Sequence, residues 1–252
     1  MQTRPAAMQR SGVLVELGPL LVEQGFDAKE LFAGAGIGSP PLSPETRLPF
    51  AAALQVLERA AELTRCPHLG LVLGQRFQLA HHGALGELMR CAPTLGRALL
   101  DFTTWQPGYS SGAVVYLHRL GEEHAFGYGA TCMGSRVLYD LVAAIGTRML
   151  EQLTGGNVKP EEIHLSQRQP PDRGAYARYL GAPVKFNAQR VCLVLSTAAL
   201  ETRLPGADRA RHQAITAELR AWLRSAAPDL ASRTRHALRH LLQRGAPSMD
   251  QI

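Results

Sequence analysis

Lysine is almost missing from this 252-residue chain: Lys29, Lys159 and Lys185 stand against 24 arginines. The net charge of +6 therefore rests on arginines scattered among Ala, Leu and Gly, with no run of five basic residues. That scatter excludes a polybasic tail and fits either a GC-rich coding bias or a surface facing nucleic acid. Cysteine is also scarce. Cys66, Cys91, Cys132 and Cys192 lie far apart in apolar segments without a CxxC pair, which excludes a zinc ribbon and predicts free, buried thiols. No apolar run approaches the ~18 residues of a membrane span. The opening residues are basic and then apolar, as in a signal peptide, but Glu16 interrupts them and no Ala-x-Ala cleavage site is found there. A cytoplasmic protein with no membrane partner is expected. Phosphate loops and logically spaced carboxylate pairs are missing, and Gly34-Ala-Gly36 and Gly127-Tyr-Gly129 are too short for nucleotide fingerprints. No catalytic residue, cofactor or enzymatic activity is expected.

What is present is enough apolar material, 46%, to fill a large core without covalent staples. From Val13 to about Ser110 the apolar spacing is helical. A first helix bends at Gly18-Pro19, and Asp27 caps a second over 28–33. A run over 48–64 gives Leu54, Leu57, Ala61 and Leu63 to the core, and further helices occupy 67–80, 85–91 and 94–105. The period then changes to two. Ala113, Val115 and Leu117 alternate with Val114, Tyr116 and His118, and a second strand follows Gly121, predicting a β-hairpin. Ser135 caps a long helix over 136–153 that stops at Gly155-Gly156. Strands over 161–166 and 190–195 flank a short helix over 173–180, and helices over 208–226 and 230–244 close the pattern. The expected fold is α+β: an N-terminal helical layer, a small mixed sheet crossed by a long helix, and C-terminal helices for linkage or dimerisation.

The end of the sequence, Arg233 to Ile252, is a basic amphipathic helix, a stop at Gly245, then Pro247, a capping Ser248 with Gln251 three residues on, and the apolar Ile252. It resembles the entry of an AraC/XylS-type helix-turn-helix domain. Other stretches point the same way. Tyr176-Ala-Arg-Tyr179-Leu-Gly181-Ala-Pro183-Val184-Lys-Phe186, the strand Cys192 to Leu195 and the turn Leu204-Pro205-Gly206-Ala207-Asp208 resemble the effector-binding domain, of arabinose-binding type, in one branch of AraC-type regulators. Leu180 stands where that branch favours phenylalanine. Asp27 to Ile37, Leu69 to Gly74 and His82 to Gly86 match its earlier patterns, so the likeness runs over about 12–252. It implies an effector-binding domain over 12–207, a helical dimerisation or linker segment over 208–245, and the start of a truncated helix-turn-helix domain over 246–252. It further implies a bacterial regulator in which a small molecule shifts a homodimer's hold on promoter DNA, bound through the missing domain. A freestanding ligand-binding or scaffolding protein, and an enzyme acting on a small acid, are the alternatives.

The residues themselves nominate a pocket. His81 and His82 sit at a helix-to-loop boundary, but adjacent imidazoles point apart and no further ligand has metal-site spacing, so no metal is expected and His82 stands as a polar anchor. Phe102 and Trp105, with Tyr109 beyond them, either line a cavity or pack a core. Tyr116 and Tyr128 are expected to approach one another across the hairpin, with Arg136 and Tyr139 opening the next helix. One guanidinium among aromatics suits a small organic acid, although Arg136 reads equally well as a solvated helix-start residue. On the helix from Asp208, the stripe Ile215, Leu219, Trp222 and Leu223 suits a two-fold dimer or the chain's own core.

Overall fold

The computed structural model describes residues 6–38, 42–130 and 134–225, with 222–225 described as helix backbone. The chain enters through a short strand, β1 (Met8–Arg10), and a 3-10 turn over Gly12–Glu16 that runs straight into α1 (Leu17–Glu23). The change of helix type falls just before the expected bend. Pro19 has no N–H to bond four residues back, so the segment ahead of it winds more tightly. Asp27 accepts from the Lys29 N–H at 2.8 Å and caps α2 (Ala28–Gly34). A second strand, β2 (Arg47–Pro49), pairs antiparallel with β1 and leads into α3 (Phe50–Leu63). The buried stripe of α3 is Ala53, Val56, Leu57 and Ala60. Leu63, expected in the core, is the last residue of the helix and is 44% exposed. Next come α4 (Leu69–Gln75), a 3-10 turn over Leu79–His82, α5 (Ala84–Arg90) and α6 (Leu95–Trp105), the last capped by Thr94.

The second half is built on β3 (Ala113–Leu120), β4 (Glu123–Ala130), α7 (Arg136–Thr154), β5 (Glu162–His164), α8 (Gly174–Leu180), β6 (Val184–Lys185) and β7 (Val191–Ser196). Two helices follow, α9 (Thr197–Glu201) and α10 (Arg209–Ser225). The sheet runs β3-β4-β7-β5-β6, antiparallel except where β6 joins β5 in parallel. Layered helices around this mixed sheet make the α+β fold that the residue patterns predict. Ser135 caps α7, and Gly155 ends it in the left-handed region at φ 65°. Gly181, at φ 61°, ends α8 and turns the chain through Pro183 into β6. The β1–β2 ribbon, β6 and α9 are too short to announce themselves by period.

Register decides which strand side chains matter. Val115 faces Tyr128 and Leu117 faces Phe126, while Phe126 faces Leu193 on the next strand, so these share the face that α7 crosses, where a Cβ at Gly146 would sit 3.0 Å from the Leu193 side chain. Tyr116 pairs with Gly127 on the opposite face. Behind α7 lies α4, packed at backbone contact: a Cβ at Gly70 would fall 2.2 Å from the Val137 carbonyl oxygen, and one at Gly74 2.4 Å from the Ala144 Cβ. At the other end, Asp208 caps α10 by accepting from the Arg211 N–H at 2.9 Å. Ile215 is 2% exposed within the main core, and Leu219 packs against that core. Those two members of the proposed dimer stripe are thus engaged by the chain's own domain, because α10 folds back over it. The helix expected over 230–244, the segment 246–252 and Cys132 lie outside the described residues.

Candidate functional site

Between the sheet's inner face and α7 lies a cavity of about 180 Å³. Its body is apolar. Leu138, Leu141, Ile145 and Met149 come from α7, Val115, Phe126 and Leu193 from the sheet, Phe102 from α6, and Val13 and Leu14 from the entering segment. A dry cavity of roughly 150 Å³ already accommodates benzene, so this one has room for a small aromatic ring or a short aliphatic chain. The Cys192 thiol lies on the opposite face of the sheet beside Tyr116, where burial pushes its pKa up, so the group stays protonated and a poor nucleophile.

One end is polar, and local structure assembles it. The Arg10 N–H donates to the Tyr109 carbonyl at 2.8 Å, and Gln9 bridges to Ser110, which pins the entering strand beside the end of α6. Arg10 is thereby laid over the Tyr109 ring, 4.2 Å from its centroid, and ion-pairs with Glu45 on its outer side. The Tyr109 ring meets His82 edge-on at 6.0 Å, and the Tyr109 hydroxyl accepts from the Leu85 N–H. His82 is wedged between Phe77 and Phe102, each 5.1 Å from it by ring centroids. Burial, then His81 and Arg10, push its pKa down to about 4, so it is a neutral imidazole at pH 7. Among the described residues, neither the Arg10 Nε nor the His82 Nε2, both buried, finds a hydrogen-bond partner. His81 lines the same cavity, with its Nε2 3.4 Å from Glu16 and its Nδ1 accepting from the Gln78 N–H. The two histidines share one wall because the tight turn over Leu79–His82 brings both rings against Phe77.

Of the residues nominated from sequence, His82, Phe102, Tyr109 and Tyr128 come together on this cavity. The other four do not. Trp105 packs against the core outside the lining, and the Tyr139 ring covers Gly134, where a Cβ would collide with it. Tyr116 and Tyr128 do not face each other. They sit at positions of opposite parity, and Tyr116 lies across Gly127 on the outer face with Ala125, Cys192 and Val194. Arg136 is the largest correction. Its Nε and Nη2 donate to the Tyr176 hydroxyl at 3.2 and 3.1 Å, and it stands 3.7 Å from Asp140, on the side of α7 away from the cavity lining. The guanidinium at the cavity is Arg10, which sequence reasoning passed over because a three-residue strand far from the hairpin gives no sign of docking beside Tyr109. Gln106, the residue after α6, also lines the cavity and was missed as well.

Two further polar arrangements frame the site. Fully buried Asp140 accepts from the Tyr176 hydroxyl at 3.0 Å and from the Gln167 amide at 2.6 Å. Burial lifts its pKa to about 7 against the downward pull of Tyr176, Arg136 and Gln167. On α6, next to cavity-lining Phe102, Asp101 meets His212 of α10 at 2.6 Å, and its other oxygen meets Arg97 at 2.9 Å. Among the described residues no cluster of His, Cys, Asp or Glu could hold a metal ion, and no helix is long and apolar enough to cross a membrane.

Residues 25–204 match the family model described as the arabinose-binding domain of AraC transcription regulator, N-terminal. The ornithine utilization regulator of Pseudomonas aeruginosa is 38% identical over 81 residues, which cover 32% of this chain and 24% of that relative's own length. Among solved structures, the transcriptional regulator CdpR from Pseudomonas aeruginosa superposes with a TM-score of 0.59 at 20% identity, covering 87% of this chain and 70% of that one, a likeness of fold.

Proposed function

This chain belongs to the AraC transcription regulators through their N-terminal arabinose-binding domain, and on that premise we propose that residues 12–207 sense a small-molecule effector rather than transform one. The observation that carries the reading is the cavity, apolar along its length and polar at one end, between the sheet and α7. A route outward exists in α6. Phe102 on this helix touches the cavity, and its neighbour Asp101 holds α10 through His212. A ligand that repacks Phe102 shifts α6 against α10 only if it binds two arrangements of that junction unequally. Residues 208–245 then serve as linker and dimerisation segment, with the sequence positions Trp222 and Leu223 left for a partner subunit. Residues 246–252 open a helix-turn-helix module that contacts promoter DNA in the cytoplasm.

The test is a thermal-shift screen of the purified chain against aromatic acids, fatty acids, amino acids and sugars, with calorimetry on the best compound. A ligand at 100 to 1,000 times its dissociation constant raises stability by roughly 3–4 kcal/mol. Saturation at one site per chain supports the sensor reading. A folded sample that no compound stabilises defeats it.

A further inference from the structure

Resting on the sensor reading above, we infer that the effector is a small carboxylic acid with an apolar body, and that Arg10 is the residue that holds its carboxylate.

About 180 Å³ bounded by leucine, isoleucine, valine, methionine and phenylalanine favours a ring or short chain without polar groups along it. A polyol such as a pentose would bury several hydroxyls against that wall unpaired. Sugar recognition is therefore disfavoured here despite the family's name. At the polar end the lining supplies one permanent charge, the Arg10 guanidinium, since His82 is held neutral. Glu45 balances Arg10 from outside, where its carboxylate is about half exposed and is not part of the lining. The buried Arg10 Nε finds no partner among the described residues, and neither does the His82 Nε2. Buried polar groups without partners are uncommon and call for a cause. In the tautomer protonated at Nε2, His82 offers a donor beside that of Arg10, and one carboxylate accepts from both. The Tyr109 ring under Arg10 fixes the guanidinium at low cost in side-chain entropy.

The experiment is calorimetry on the whole 252-residue chain with benzoate, phenylacetate, hexanoate and octanoate, each beside its primary amide and the matching alcohol. The acids bind, and each amide binds at least tenfold more weakly, the factor expected from losing a charge-assisted hydrogen bond. Arg10→Met weakens the acids by at least tenfold and the amides and alcohols by clearly less, since they lose only a neutral hydrogen bond. Because that variant also loses the Glu45 pair and the Tyr109 contact, Glu45→Gln provides the complementary arm. It removes a competing carboxylate without touching the cavity wall, and it tightens acid binding severalfold. Amides that bind as well as acids, or an Arg10→Met variant that binds acids normally, would overturn the carboxylate assignment while leaving the cavity a ligand site. Acid binding that Glu45→Gln weakens would also overturn it. Failure of every acid, amide and alcohol to bind a folded sample would overturn the assignment and the sensor reading together.

Discussion

Two buried titratable side chains in this domain carry opposite pH signatures, and single substitutions separate them. His82 has a folded pKa near 4 against the ordinary 6.5, so between those values the unfolded chain binds more protons and stability falls as pH drops. His82→Phe keeps a ring between Phe77 and Phe102 but cannot titrate. Its stability relative to the parent chain is therefore more favourable at pH 5 than at pH 7.5, by up to about 2 kcal/mol. Equal differences at the two pH values, measured by denaturant titration, would show that the imidazole is not held neutral. Asp140 works the other way. Its folded pKa of about 7 lies above the ordinary 3.8, so the folded chain binds the extra proton and stability falls as pH rises from about 4 to 7. The Tyr176 hydroxyl donates to the ionised form. Tyr176→Phe should therefore destabilise by about 1.5–3 kcal/mol at pH 8 and by clearly less at pH 5. A loss independent of pH would mean that the hydroxyl serves only Arg136.

Among elements, the α4–α7 contact backs the helix that walls the cavity at backbone distance. In an exposed helix, replacing glycine by alanine raises stability by up to about 1 kcal/mol. At Gly70 the sign reverses, because the new methyl would meet the backbone of Val137 and the Cβ of Asp140. Gly70→Ala should cost about 1–3 kcal/mol and lower the melting temperature by roughly 5 °C. A variant that melts at or above the parent temperature would show that the helices separate freely. The same elements explain what could be seen in the sequence. The capped ends of α7, at Ser135 and Gly155, and the alternation in β3 were legible because they are local signals repeated over many residues. The parity of β4 was also legible in the sequence, yet pairing Tyr116 with Tyr128 required a register, which only the hairpin turn fixes. Arg10 was illegible on different grounds. Its importance comes from contacts with Glu45 and Tyr109, far along the chain, and no local pattern encodes them.

At the scale of the molecule, the question is whether α10 belongs to this domain or to an interface. The sequence stripe allowed both, and burial divides it: Ile215 sits inside the core at 2% exposure with Leu219 packed nearby, while His212 is tied to Asp101 on α6. The inner part of α10 is thus tied to α6, the helix that gives Phe102 to the cavity, as a mechanical output from the ligand requires; a helix held only by a second subunit would sense dimerisation but not the effector. Ile215→Asp places an unpaired carboxylate in that core and should destabilise the chain by more than about 3 kcal/mol. The corresponding fall in melting temperature, roughly 6–12 °C, should be the same at low and high protein concentration, because the lost packing is within one chain. Were Ile215 instead part of a subunit contact, the variant would sediment as a monomer where the parent associates, and its melting temperature would match that of the parent at concentrations too low for association. Melting across a hundredfold range of concentration, alongside sedimentation, therefore decides which of the two structures α10 stabilises.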